Sequence, residues 1–307
     1  MIIAFMFVIF NIFLLIFPQI ILGAARDGLM LWFNNVLPSL LPFMVATNML
    51  ISLGVAATIS NLAAPLMRRV FNLPGAAGFA LFMGLTSGYP VGAKTVADLR
   101  NAKQISVQEA QHLLAFCNNA GPLFMVGAVG VGMFNSAAVG YVLWASHVVG
   151  ALVVGLLYRK GASPRSYDCS AVAPHKKSVP IGKALGDAVK SSMEAITIIG
   201  GLIIFFSVVV AILEILGVNT DFMAGGIAAG LVEVAGGVRK IAVHQPSLPT
   251  IASAAFVIAF GGISIHAQTL YFTAGLGINN RKYIFAKFLH GVISAGVGVL
   301  LAVFVLK

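Results

Sequence analysis

Charge is scarce in this chain. Of 307 residues 9% are charged, only nine of them acidic against nineteen lysines and arginines, and the mean hydropathy is +0.99. A soluble domain carries about 25% charged residues, so this composition excludes an ordinary soluble fold and indicates a polytopic membrane protein. Cysteine is scarcer still. Cys117 and Cys169 lie far apart in different surroundings, which predicts no disulfide, and no CxxC or Cys/His spacing suggests a metal site. The sequence also lacks Gly-x-Ser-x-Gly, His-Glu-x-x-His and a phosphate loop. No catalytic residue and no cofactor is therefore expected, and the chain is not read as an enzyme. The formal net charge of +10 would suggest nucleic acid in a soluble protein. Here the basic residues cluster in short polar gaps between apolar runs, as the positive-inside rule requires, and nucleic-acid binding is rejected.

What is present is a succession of apolar runs. Met1 to Leu22 carries no charge and is long enough to span, since about 20 apolar residues cross the hydrocarbon core. Gly23-Ala24-Ala25 imitates a signal-peptidase site, but no basic n-region precedes it, so an uncleaved helix is expected. Gly28 to Met67 is a second uncharged run, with Pro38 and Pro42 in position to bend it. Arg68 and Arg69 close it, and Val70 to Ala93 follows as either one crossing or a re-entrant hairpin. Ser106-Val-Gln-Glu109 reads as a capping box that opens a helix through Phe116. Leu113 to Tyr158 has room for two crossings and contains His147, which reads as a satisfied interior histidine or a proton relay.

Arg159 to Lys183 is rich in Lys, Arg, Ser and Pro, with Asp168 its single acid, and is expected to remain in the cytoplasm. Beyond it, Asp187 to Gly217 is predicted to span, Gly225 to Gly237 is rich in small residues, Ile241 to Asn280 is apolar, and Lys287 to Lys307 supplies a final helix. The predicted fold is an all-α polytopic membrane protein with about 8–10 membrane segments. Its parts are an N-terminal transmembrane helix over 1–25, a first repeat over 26–158, the basic linker over 159–185 and a second repeat over 186–307. The halves are expected to be inverted, with broken helices and re-entrant hairpins. Asn48-Met-Leu-Ile-Ser-Leu-Gly-Val55 resembles Ala211-Ile-Leu-Glu-Ile-Leu-Gly-Val218, which sets residues 87–94 opposite 261–268.

One stretch organises the candidate site. Gly84 to Lys94 and Cys117 to Pro122 place glycines, prolines and amides between long apolar runs. Lipid cannot hydrogen-bond freed backbone, so interrupted helix at membrane depth survives only inside protein or beside a wet cavity, and carriers hold substrates there. The candidate binding residues are Ser87, Gly88, Tyr89, Pro90, Gly92, Lys94, Asn118, Asn119 and Gly121, joined from the second half by Ser264, His266 and Gln268. Lys94 either offers a cation to an anionic solute or marks the cytoplasmic end of a segment. Ser264, His266 and Gln268 share one side if extended and spread if helical. Among the acids, Glu194 and Glu214 are expected at the membrane surfaces, and Glu233 is the candidate for binding a coupling proton or sodium ion.

Gly28-Leu-Met-Leu-Trp-Phe, Leu37-Pro-Ser-Leu-Leu-Pro-Phe43, Ser87-Gly-Tyr-Pro-Val-Gly-Ala-Lys94 and Asn118-Asn-Ala-Gly-Pro-Leu-Phe124 resemble the sporulation integral membrane protein YlbJ family. That family contains the nucleoside-recognition, or Gate, domain and is distantly similar to concentrative nucleoside transporters. The resemblance implies a multi-pass carrier in a bacterial cell membrane, or the outer forespore membrane in a sporulating cell, with dipicolinate as the proposed cargo. The leading expectation is a secondary transporter of a small anionic solute. A nucleoside-type carrier and a non-transporting scaffold for sporulation or envelope assembly are the alternatives. The expected partners are the solute, the lipid bilayer and a coupling ion, with a homo-oligomer left open.

Overall fold

The computed structural model describes residues 1–161, 180–218 and 222–305, and within them the chain is helical with no strand. Most of the basic linker, with Cys169, lies outside the described residues.

The first helix differs from expectation. α1 (Ile2–Ile16) stops short of Leu22, and the chain bends by 105° into α2 (Pro18–Leu31). Proline disfavours helical geometry at the residue before it, and Phe17 sits at φ −119° and ψ 51°. Pro18 then opens α2 at a position where its missing N–H costs nothing. α2 runs through a π-helical stretch (Trp32–Val36) into α3 (Leu37–Ser52). The widened turn lies just before Pro38, and Pro42 is accommodated inside α3. The chain next turns by 91° into α4 (Val55–Leu66).

α5 (Ala76–Thr86) and α6 (Val91–Asn101) form a hairpin, the re-entrant alternative for residues 70–93. α7 (Val107–Cys117) opens with the expected capping box: Glu109 N–H donates to Ser106 Oγ at 3.2 Å, and Ser106 N–H donates to Glu109 Oε2 at 2.7 Å. After a break the chain resumes as a π-helical stretch (Leu123–Met133) and the long α8 (Ala137–Leu157). The second half begins with α9 (Ile181–Ile215), followed by the hairpin of α10 (Met223–Val232) and α11 (Val234–Ala242). α12 (Leu248–Phe260) and α13 (Gly262–Thr273) continue one apolar span interrupted at Gly261, where φ is +92° and a side chain would be strained. α14 (Asn280–Val305) ends the described chain.

Among the described residues four spans are long and apolar enough to cross a bilayer: α8, α9, α12 with α13, and α14. The count rises to six if each bent pair, α1–α2 and α3–α4, is one crossing. α5, Leu123–Met133 and α10 are apolar but too short to cross alone. Phe5, Leu15, Leu22, Leu62, Leu300 and Phe304 are exposed, as lipid-facing residues should be. α8 and α14 meet at Gly150, where an added Cβ would lie 2.3 Å from Ser294 Oγ, and Gly291 brings α14 as close to Phe256 of α12. These three helices form the central bundle. A hairpin, an interrupted helix and a long helix thus occur in the same order in each half.

Candidate functional site

The tip of the α5–α6 hairpin lies directly on the break after α7. An added Cβ on Gly88 would sit 2.7 Å from Gly121 N, and Gly121 faces the Ser87 carbonyl in return. Gly84 and Gly92, one on each arm, both close on the Cys117 carbonyl. The break leaves backbone groups of α7 without helical partners, and inside a membrane they must be satisfied by protein. Side chains from two other helices do so. Lys287 Nζ of α14 donates to the Asn118 carbonyl at 2.9 Å, and Ala120 N–H donates to His147 Nε2 of α8 at 3.1 Å. Asn119 Nδ2 donates to the Phe116 carbonyl at 2.8 Å. His147 Nε2 is therefore an acceptor at the break, while its Nδ1 is buried without a partner among the described residues.

Asn118 is the hub. Its Nδ2 donates to Thr269 Oγ1 of α13 at 2.8 Å and to the Tyr283 hydroxyl of α14 at 3.0 Å, so one amide joins both halves. The Thr269 and Tyr283 hydroxyls are 3.2 Å apart. Lys287 Nζ also reaches His290 Nδ1 at 2.9 Å, and His290 Nε2 lies 2.9 Å from the His147 carbonyl. The two imidazole rings are 4.5 Å apart. Asn118, Asn119, Tyr283, Lys287 and His290 are all fully buried.

Around this hub several buried polar atoms have no hydrogen-bond partner among the described residues. They include Asn118 Oδ1, Asn119 Oδ1, Ser264 Oγ, both ring nitrogens of His266, and both amide atoms of Gln268. The 264–268 segment is helical, so its polar residues spread as that reading required. Ser264 and Gln268 share a face of α13, while His266 points between Phe260 and Tyr283, at ring distances of 4.7 and 5.5 Å. Ser87 is buried with its hydroxyl 3.4 Å from Thr47 Oγ1. Tyr89, after whose cis peptide Pro90 follows, packs against the cluster containing Ala120 and Val234, and its hydroxyl is buried and unpartnered.

Two candidates make their described hydrogen bonds outside this hub. Lys94 pairs with Asp98 one turn on, at 2.9 Å, and lines a separate cavity of about 390 Å³ with Asn48, Asp98, Asp187 and Ser191. The Asp98 carboxylate is the described partner of its charge. A partly exposed pair of this kind contributes about 0.3–0.5 kcal/mol. Lys94→Ala should therefore leave thermal stability and solute uptake close to wild type, measured by detergent melting and by flux. Glu233 occupies the interruption between α10 and α11. Its carboxylate accepts from Ala235 N–H at 3.0 Å and Gly236 N–H at 2.6 Å, capping α11. Glu233→Ala should cost about 1–2 kcal/mol through the lost cap, seen as a lower melting temperature. Glu214 pairs with Lys240 at 2.6 Å, and Glu194 is exposed.

Lys287, Tyr283, Thr269 and His290 were not anticipated. The signal existed: Tyr283, Lys287, His290 and Ser294 recur at i, i+4, i+7 and i+11, a polar stripe on one face of an apolar helix. The sequence reading begins the final helix at Lys287 and gives that residue no role of its own. Among the described residues no group of three His, Cys, Asp or Glu is placed to hold a metal.

These features define an integral membrane protein whose polar centre is built on interrupted helices and hairpin tips. Residues 33–139 match the Gate family, described as nucleoside recognition. The chain is 35% identical over 312 residues to the sporulation integral membrane protein YlbJ of Bacillus subtilis (strain 168), covering 91% of this chain and 76% of that protein. It belongs to the sporulation integral membrane protein YlbJ family. No solved structure matches it.

Proposed function

We propose that this protein is a secondary carrier for a small anionic solute, bound where Asn118 and Asn119 of the first half meet Ser264, His266 and Gln268 of the second. One observation carries the reading: the buried polar atoms without a partner among the described residues on both sides of the Asn118–Thr269 contact. A buried polar atom without a partner costs about 1–3 kcal/mol, and a polar solute or the water it displaces removes that cost. A packed scaffold would not need to retain so many. In this proposal the segments 26–158 and 186–307 are inverted repeats that rock about the site, and the basic linker stays in the cytoplasm.

Dipicolinate is the solute proposed from the relative's role in sporulation, and the outer forespore membrane is then the proposed location. The nucleoside-recognition description of residues 33–139 supports a second reading, a nucleoside-type carrier using the same amides. Uptake of labelled dipicolinate and of uridine by liposomes containing the purified protein separates them. Dipicolinate uptake above protein-free liposomes supports the first reading, and uridine uptake alone moves the cargo to the second. Well-folded protein that moves neither solute under proton, sodium and potassium gradients sinks the carrier reading in favour of the scaffold.

A further inference from the structure

Lys287 is a fully buried cation-forming group with no carboxylate beside it among the described residues. Its Nζ meets two acceptors, the Asn118 carbonyl and His290 Nδ1, each at 2.9 Å. His290 Nε2 faces the His147 carbonyl, which can only accept, so that nitrogen carries the ring proton and Nδ1 accepts from the lysine. The described ion pairs join Lys94 to Asp98 and Lys240 to Glu214, and neither involves Lys287.

A neutral amine has two N–H donors and one lone pair, whereas an ammonium has three donors and needs a counter-charge when buried. Two acceptors and no anion match the neutral amine. The titratable groups facing Lys287 are Cys117 from α7, His147 from α8, His266 from α13, and Tyr283 and His290 from its own helix. α12, packed against α14, contributes no titratable side chain. None of these groups is a carboxylate that could pair with an ammonium.

We propose that Lys287 is the anion-binding cation of the carrier, and that it is charged only when a proton and a solute carboxylate bind together. The proton comes from water on the side where the solute binds and adds to the Nζ lone pair. The third N–H then becomes the donor offered to the carboxylate, and both leave to water on the far side. No covalent bond to the solute forms. One proton accompanies each carboxylate solute, so a dianion such as dipicolinate crosses with a net charge of −1. This inference rests on the carrier reading above and assigns its coupling ion and its charge.

The test uses the full-length protein in weakly buffered liposomes with an external pH dye and labelled dipicolinate, against protein-free liposomes. One proton should disappear from the medium per dipicolinate taken up, and each unit of pH gradient, acid outside, should raise the accumulation ratio about tenfold. Lys287→Arg retains a cation that does not deprotonate. It should keep dipicolinate binding within a few-fold and lose the tenfold response to the gradient, while Lys287→Gln should lose binding. Dipicolinate uptake without proton uptake, or a full gradient response in Lys287→Arg, overturns the inference and leaves the carrier reading standing. Absence of uptake by the wild-type protein overturns both. If either variant fails to fold in detergent melting, the proton-to-dipicolinate ratio of the wild type decides alone.

Discussion

Gly84→Ala is expected to prevent the α5–α6 hairpin from closing on α7, with a loss of folded protein rather than a local defect. The added Cβ would lie 1.6 Å from the Cys117 carbonyl oxygen, far inside van der Waals contact. The obstacle is backbone, so no side-chain rotation can relieve it. Gly92 closes on the same carbonyl from the other arm at 2.4 Å, so a retreat of α7 toward α6 is blocked as well. Overpacking in a dense interior costs about 1–3 kcal/mol where neighbours can yield, and this site should lie at or above the upper end. The readout is the yield of monodisperse protein in detergent and its melting temperature. Gly182→Ala, on α9 with open space around it, is the control that should melt like the wild type. Wild-type melting by Gly84→Ala would mean that the hairpin is not seated as described.

Asn118 is where the second large effect is expected, on transport rather than on folding alone. Asn118→Ala removes the donors to Thr269 and Tyr283, the contact between the two halves. Those hydroxyls still face each other at 3.2 Å, and Thr269 also donates to the Ile265 carbonyl, so the stability cost should be limited to about 1–3 kcal/mol. Losing solute contacts of similar size, each worth about tenfold in rate, should reduce dipicolinate uptake at least tenfold. Asn118→Asp sharpens the result. It preserves shape while bringing negative charge to a site proposed to take an anion, so a folded variant with uptake near background is expected. Initial uptake rates measured beside tryptophan-fluorescence melting separate the two causes. Unimpaired uptake in both variants would remove Asn118 from the solute path.

The sequence by itself determined that the protein lives in a membrane, because so few charges in so apolar a chain admit no soluble alternative. It also located the breaks. Gly88 and Pro90 and the Asn-Asn-Ala-Gly-Pro run interrupt the helices, and amides buried among apolar segments signalled that freed backbone had to be met inside protein. The α7 capping box was legible because its spacing is local. Tertiary structure decided which charges enter the polar centre. Lys94 and Lys287 both border apolar runs; Lys94 meets Asp98 one turn on in its own helix, and only packing carries Lys287 to the Asn118 carbonyl. The Glu233 cap and the stop of α1 at Phe17–Pro18 are local as well, set by residues two or three positions away and by the proline. Contacts between residues more than a hundred positions apart, such as Asn118 with Thr269 and Tyr283, arise from helix packing, and a linear pattern of side chains carries no record of them.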